Sequence, residues 1–86
     1  GSHIGHHTVI HDHCFITSHV VISGNVVVKP YCFLGVNSTI RDGITISDEC
    51  VIGAGTTILH DTLSKQVYSN NSTNLLLFTS DKLKHL

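Results

Sequence analysis

From Ile4 onward every sixth residue is a branched aliphatic: Ile4, Ile10, Ile16, Ile22, Val28, Leu34, Ile40, Ile46, Ile52 and Ile58. Four positions after each of these stands a small or β-branched side chain: Thr8, Cys14, Val20, Val26, Cys32, Ser38, Ile44, Cys50, Thr56 and Thr62. An amphipathic helix would bring apolar residues back about every 3.6 positions, and a half-buried strand about every 2. A period of 6 in a segment rich in Val, Ile and Thr instead predicts short parallel strands separated by turns.

Three hexapeptides closing one triangular coil place residue n beneath residue n+18, at the roughly 4.8 Å spacing of neighbouring strands. The aliphatics then fall into three columns: Ile4, Ile22, Ile40 and Ile58; Ile10, Val28 and Ile46; Ile16, Leu34 and Ile52. Cys14, Cys32 and Cys50 share one inward column, where they are expected to stack as small buried hydrophobes. Parallel side chains in register point the same way, which is poor geometry for a disulfide. Phe15, Phe33 and Val51 stack on an outward position, and an exposed aromatic pair there marks contact with a partner or ligand.

The pattern ends after Thr62. Residues 64–73 are polar and turn-rich, with a short strand expected at Val67-Tyr68 and a brief helix capped by Ser80-Asp81 running to Leu86. The run from Leu75 to Phe78 is too apolar for water and is expected to pack across the coil or on a neighbouring subunit. Gly1-Ser2-His3 reads as the remnant of a cleaved purification tag, so His3 is set aside. The expected division is therefore 1–3 remnant, 4–63 β-helix and 64–86 C-terminal extension.

Eighty-six residues make one small domain with a modest core, which points to help from identical neighbours. Five Lys and Arg against six Asp and Glu leave no basic face for nucleic acid and no polybasic tract for a membrane. The longest apolar runs, Val26 to Val28 and Leu75 to Phe78, fall far short of the roughly 20 residues of a membrane span. Three cysteines without CxxC spacing match neither a zinc ribbon nor an even disulfide set, and a cytoplasmic location is expected. The two sequons of Asn70-Asn71-Ser72-Thr73 carry no weight there.

The repeat of an aliphatic, a glycine or polar residue, and a small residue at fixed spacing over positions 4–62 resembles the hexapeptide acyltransferases. That resemblance implies an all-β, left-handed parallel β-helix of about three coils that assembles as a homotrimer. Ile4-Gly5-His6-His7-Thr8-Val9-Ile10, Ile22-Ser23-Gly24-Asn25-Val26 and Cys32-Phe33-Leu34-Gly35-Val36-Asn37-Ser38 are similar to the branch that acetylates sialic acid or amino-sugar nucleotides. In that branch the histidine 18 residues before the glycine of the Ser/Ala-Gly-Asn-Val motif is the general base, which here is His6.

A histidine suits that role, because an attacking hydroxyl or amine must lose a proton and imidazole exchanges protons near neutral pH. Gly24, directly above, leaves a notch for the acetyl group of acetyl-CoA. Val36 and Ala54 match positions that line the pantetheine arm, and Gly53 and Gly55 flank that column. His7 stands where relatives place an acidic partner of the base, and Phe15 where a second histidine meets the thioester carbonyl. Asp12 and His13 lie on the next face as substitutes, whereas His11, His13, His19, His60 and His85 read as solvent-facing. The branch also carries an N-terminal nucleotide-sugar domain, so the resemblance implies either an excised half or an acceptor held differently.

Two other functions share this architecture. A γ-type carbonic anhydrase holds zinc with three histidines across a subunit interface; His6 and His11 reproduce one ligand spacing, but Asp42 stands where the third would be. A coil without catalysis would serve as a trimerisation scaffold.

Overall fold

In the computed structural model, which describes residues 1–69, each hexapeptide becomes a two-residue strand followed by a four-residue bend. The strands are β1 (His3–Ile4), β2 (Val9–Ile10), β3 (Phe15–Ile16), β4 (Val21–Ile22), β5 (Val27–Val28), β6 (Phe33–Leu34), β7 (Thr39–Ile40), β8 (Thr45–Ile46), β9 (Val51–Ile52), β10 (Thr57–Ile58) and β11 (Val67–Tyr68). Successive strands pass to three sheets in rotation. The first sheet runs β1-β4-β7-β10, the second β2-β5-β8 and the third β3-β6-β9-β11, and every pair is parallel.

The register is the one that the period dictates: Ile4 pairs with Ile22, Ile22 with Ile40 and Ile40 with Ile58, and the other two aliphatic columns align likewise. The result is an all-β solenoid of about four turns, consistent with left-handed winding. No helix among the described residues is long and apolar enough to cross a membrane.

Both inward rows form the core. Ile22, Leu34, Ile40, Ile46 and Ile52 are fully buried, as are Val20, Val26 and Cys50 beside them. Each such aliphatic contributes on the order of 1.5–3 kcal/mol through removal from water. In the first described coil Ile4 is 49% exposed and Cys14 only partly buried, in contrast to Cys32 and Cys50 in the coils above. All three cysteines are free. Their thiols lie flat against the coil above, with Cys14 donating to the Lys29 carbonyl at 3.1 Å, Cys32 to Ser47 at 3.1 Å and Cys50 to Leu63 at 3.0 Å.

The bends carry a second periodicity. Their second turn residue has positive φ at His7, His13, His19, Asn25, Tyr31, Asn37, Gly43, Glu49, Gly55 and Lys65. Glycine and asparagine enter this left-handed region most readily, and a bulky side chain there is an outlier. Stacked bends also bond to one another: the N–H of Asn25 donates to the His6 carbonyl at 2.9 Å, and that of Gly55 to Val36 at 2.8 Å.

The rotation breaks at the C-terminal end. After β10 the chain crosses the second sheet without forming a strand and enters the third sheet as β11, Val67 pairing with Val51 and Tyr68 with Ile52. The strand expected at Val67-Tyr68 is present, and it carries the parallel stacking past residue 63. Over the edge of β8, side chains replace strand pairing. Asp61 Oδ1 accepts from the Thr45 N–H at 2.8 Å, and Thr62 Oγ1 from the Ser47 N–H at 2.9 Å, which satisfies donors a β-edge would leave bare. The Leu75 to Phe78 run, the Ser80 to Leu86 helix, the sequons and His85 lie outside the described residues.

Candidate functional site

Three corners join the three sheets, and the sequence-derived residues distribute among them. Residues 6–7 and 24–25 turn from the first sheet into the second, 12–13, 30–31 and 48–49 from the second into the third, and 18–19, 36–37 and 54–55 from the third back to the first.

His6, His7 and Gly24 share the first corner. Both imidazoles are exposed, with ring centroids 6.4 Å apart and planes tilted by 50°. The backbone beneath them is fixed. The His6 carbonyl accepts from Asn25, and the Thr8 hydroxyl donates to the Ser23 carbonyl at 2.8 Å, tying the first coil to the second. Gly5 packs so closely under the next coil that an added Cβ would stand 2.6 Å from the Gly24 nitrogen. At Gly24 itself a Cβ would lie 3.2 Å from the His6 carbonyl oxygen, so its absence opens a notch over the His6 backbone. The corner therefore holds a positioned main chain, an exposed imidazole and a shallow notch at Gly24 too tight for a Cβ without a small shift.

Val36, Ala54 and Gly55 share the third corner, with Gly53 one residue before it. Val36 is 40% exposed and Ala54 stands one coil above it. The N–H of Gly53 donates to the Tyr68 carbonyl at 2.8 Å and that of Gly55 to Val36, so both N–H donors are already engaged, and a Cβ added at Gly53 would stand 3.2 Å from the Tyr68 carbonyl oxygen. Gly35 is a packing residue, since a Cβ there would stand 2.7 Å from the Ala54 nitrogen.

Phe15 joins neither group. It lies on the outward side of the third sheet, 63% exposed, its ring stacked on Phe33 at 5.5 Å and 14°. Val51 and Val67 follow in register, which makes a stripe of four aligned apolar residues. The base candidate and the pantetheine column thus occupy corners separated by the first sheet, and within one chain they do not meet.

Among the described residues no three His, Cys, Asp or Glu side chains converge on a point where a metal ion would sit. His11, His13, His19 and His60 are exposed, in keeping with their outward register. His13 is also a ring partner: it stacks on Tyr31 at 4.9 Å with planes 11° apart. Sequence reading passed over Tyr31, although its position 18 residues after His13 was the available signal.

A model of the hexapeptide repeat of succinyl-transferase matches residues 32–60. No curated protein matches the chain. The matched segment spans β6 to β10, where the two inward rows are deepest in the core. Over that segment the chain is similar to hexapeptide-repeat proteins, and its stacked parallel coils form the solenoid such repeats build.

Proposed function

We propose that the chain forms the acyl-transfer coil of an acetyl-CoA-dependent enzyme that acetylates a hydroxyl or amino group of a sugar or nucleotide sugar. The observation that carries this reading is the first corner, where the exposed His6 imidazole stands beside the notch left by Gly24. The match to transferase hexapeptides supports the acyl-transfer class. Resemblance to the sialic acid and amino-sugar branch supports the acceptor.

In the proposed reaction the acceptor oxygen or nitrogen attacks the thioester carbonyl of acetyl-CoA, and the His6 imidazole takes the proton that the acceptor loses. The tetrahedral intermediate collapses with cleavage of the C–S bond, and the imidazolium returns the proton to the departing coenzyme A thiolate. His7 stands at the next position, its ring centroid 6.4 Å from that of His6, where the resembled branch has a carboxylate. Gly24 leaves room for the acetyl group, while Val36, Gly53, Ala54 and Gly55 on a neighbouring chain line the pantetheine arm. Phe15 belongs to the apolar face through which chains associate as a trimer. The location proposed is cytoplasmic.

The second reading is a trimerisation scaffold, favoured by the Phe15–Phe33 stack and by the absence of a carboxylate at position 7. Titration calorimetry with acetyl-CoA separates the two. Saturable one-to-one binding per chain supports the enzyme, and no binding by a trimeric protein supports the scaffold.

A further inference from the structure

The second corner carries a feature that acyl transfer at the first corner leaves unused. Between the Tyr31 bend and the Glu49 bend one coil above it lies an open cleft of about 630 Å³, walled by Lys29, Tyr31, Ser47, Asp48, Glu49 and Lys65. We propose that this cleft is a second ligand site, built for the ring of an uncharged saccharide.

Three observations carry the proposal. First, Tyr31, with φ 64°, is among the described residues the only aromatic other than histidine at a left-handed bend position; bends on the other corners place Asn25, Asn37, Gly43 and Gly55 there, and the bends stacked below and above it carry His13 and Glu49. A bulky side chain at such a position is less favourable than Asn or Gly, a cost that Tyr31 shares with His7, His13, His19, Glu49 and Lys65; what sets Tyr31 apart is the large flat ring it places beside the cleft. Second, the ring is presented as a platform. Tyr31 is 57% exposed, and His13 backs it from the coil below in a near-parallel stack. Aromatic faces of this kind take the C–H face of a sugar ring.

Third, the polar groups around the platform balance. Lys29 and Lys65 face Asp48 and Glu49; the Lys65 ammonium pairs with the Glu49 carboxylate at 3.6 Å, and the Ser64 hydroxyl donates to Asp48. A cleft with two cations and two carboxylates has no net charge to draw a phosphate or an ammonium ligand. It does supply both donors and acceptors for hydroxyl groups that donate and accept at once. The volume suits a monosaccharide, well within the roughly 300–1,000 Å³ of small-molecule sites. This site is distinct from the acceptor site at His6, from which it is separated by the second sheet.

The test is titration of the full chain, without acetyl-CoA, with methyl glucoside and N-acetylglucosamine, followed by NMR shifts of the Tyr31 and His13 ring protons. Glucose 6-phosphate and glucosamine serve as the charged probes. The expected result is saturable millimolar binding of a neutral sugar, weakened about tenfold in Tyr31→Asn and unchanged in His6→Ala; tenfold corresponds to roughly 1.4 kcal/mol, the scale of one aromatic stacking contact. Tyr31→Asn keeps the fold, because Asn already occupies this bend position at 25 and 37. Failure of both neutral sugars to saturate, equal affinity in Tyr31→Asn, tighter binding of either charged sugar, or loss of binding in His6→Ala would each overturn the proposal. Because the readout needs no acyl donor, it stands or falls independently of the acyl-transfer reading.

Discussion

Gly24 lies one coil above His6, and a Cβ added to it would meet the His6 carbonyl oxygen at 3.2 Å. Gly35 is different: its added Cβ would stand 2.7 Å from the Ala54 nitrogen and 2.8 Å from the Ile52 oxygen, both fixed backbone atoms. One glycine keeps a space open, and the other lets two coils touch. Gly24→Ala is therefore expected to change thermal stability by less than about 1 kcal/mol, whereas Gly35→Ala destabilises by about 1–3 kcal/mol or more through overpacking. Thermal unfolding of the two variants checks this. Acetyl transfer should fall in Gly24→Ala despite its intact fold, because the notch is narrowed.

The hydroxyls of Ser38 and Thr56, one coil apart in the inward row, are buried without a hydrogen-bond partner among the described residues. An unmade bond on a buried hydroxyl costs about 1–3 kcal/mol, and valine replaces threonine with nearly the same shape. Thr56→Val should raise stability by about 1 kcal/mol. Denaturant midpoints at equal slope measure it, and a loss of stability would show that the hydroxyl has a partner.

The cysteine column should react in order of depth. Cys32 is 2% exposed and Cys50 0%, while Cys14 is only partly buried at the open end of the first coil. The neighbouring Cys50 thiol, aided by burial, pushes the Cys32 thiol above its ordinary range. Cys50 is drawn the other way by Cys32 and the Thr62 hydroxyl against its own burial, but the closed core denies a reagent access to either sulfur. Mass spectrometry of the native protein with a thiol reagent should find Cys14 modified first and the other two only after denaturation. Rapid native labelling of Cys32 would contradict the register of the solenoid.

The stripe of Phe15, Phe33, Val51 and Val67 should bury itself between chains. A charge at its centre, Phe33→Glu, is expected to convert a trimer to monomers while leaving the coil folded, because Phe33 is outward-facing and 41% exposed in one chain. Sedimentation at micromolar concentration checks the mass. A monomeric wild type would remove the trimer, and with it the meeting of the first and third corners.

Most of the solenoid was legible because a period of 6 leaves few alternatives. Ile22, Leu34 and Ile46 announce their columns in the sequence, and pairing follows from a fixed offset. The pairing of β11 was not legible: Val67 sits above Val51 only because residues 59–66 cut across the second sheet, a path that no repeat encodes. Nor was the capping by Asp61 and Thr62, which depends on side chains meeting a particular edge. The bends were readable in part. Asn25, Asn37, Gly43 and Gly55 at intervals of six or twelve signal positive φ, whereas His7, Tyr31 and Glu49 at the same position disguise it.

For the site, sequence offset alone puts Gly24 over His6. It does not place Phe15 away from both corners, nor reveal that Tyr68 occupies the Gly53 N–H, because these depend on which sheet each strand joins.

The proposed acyl transfer depends on one imidazole, that of His6. Turnover of acetyl-CoA with a panel of amino-sugar nucleotides and sialic acid should fall by about 10²- to 10⁴-fold in His6→Ala, the usual effect of losing a general base. Acetyl-CoA affinity and unfolding temperature should stay near wild type, because the side chain is exposed and packs on little. His7→Glu should hold or raise the rate, since a carboxylate beside the imidazole orients it and strengthens it as a base. Full activity in His6→Ala would contradict the assignment and move the base elsewhere, with His13 next in line.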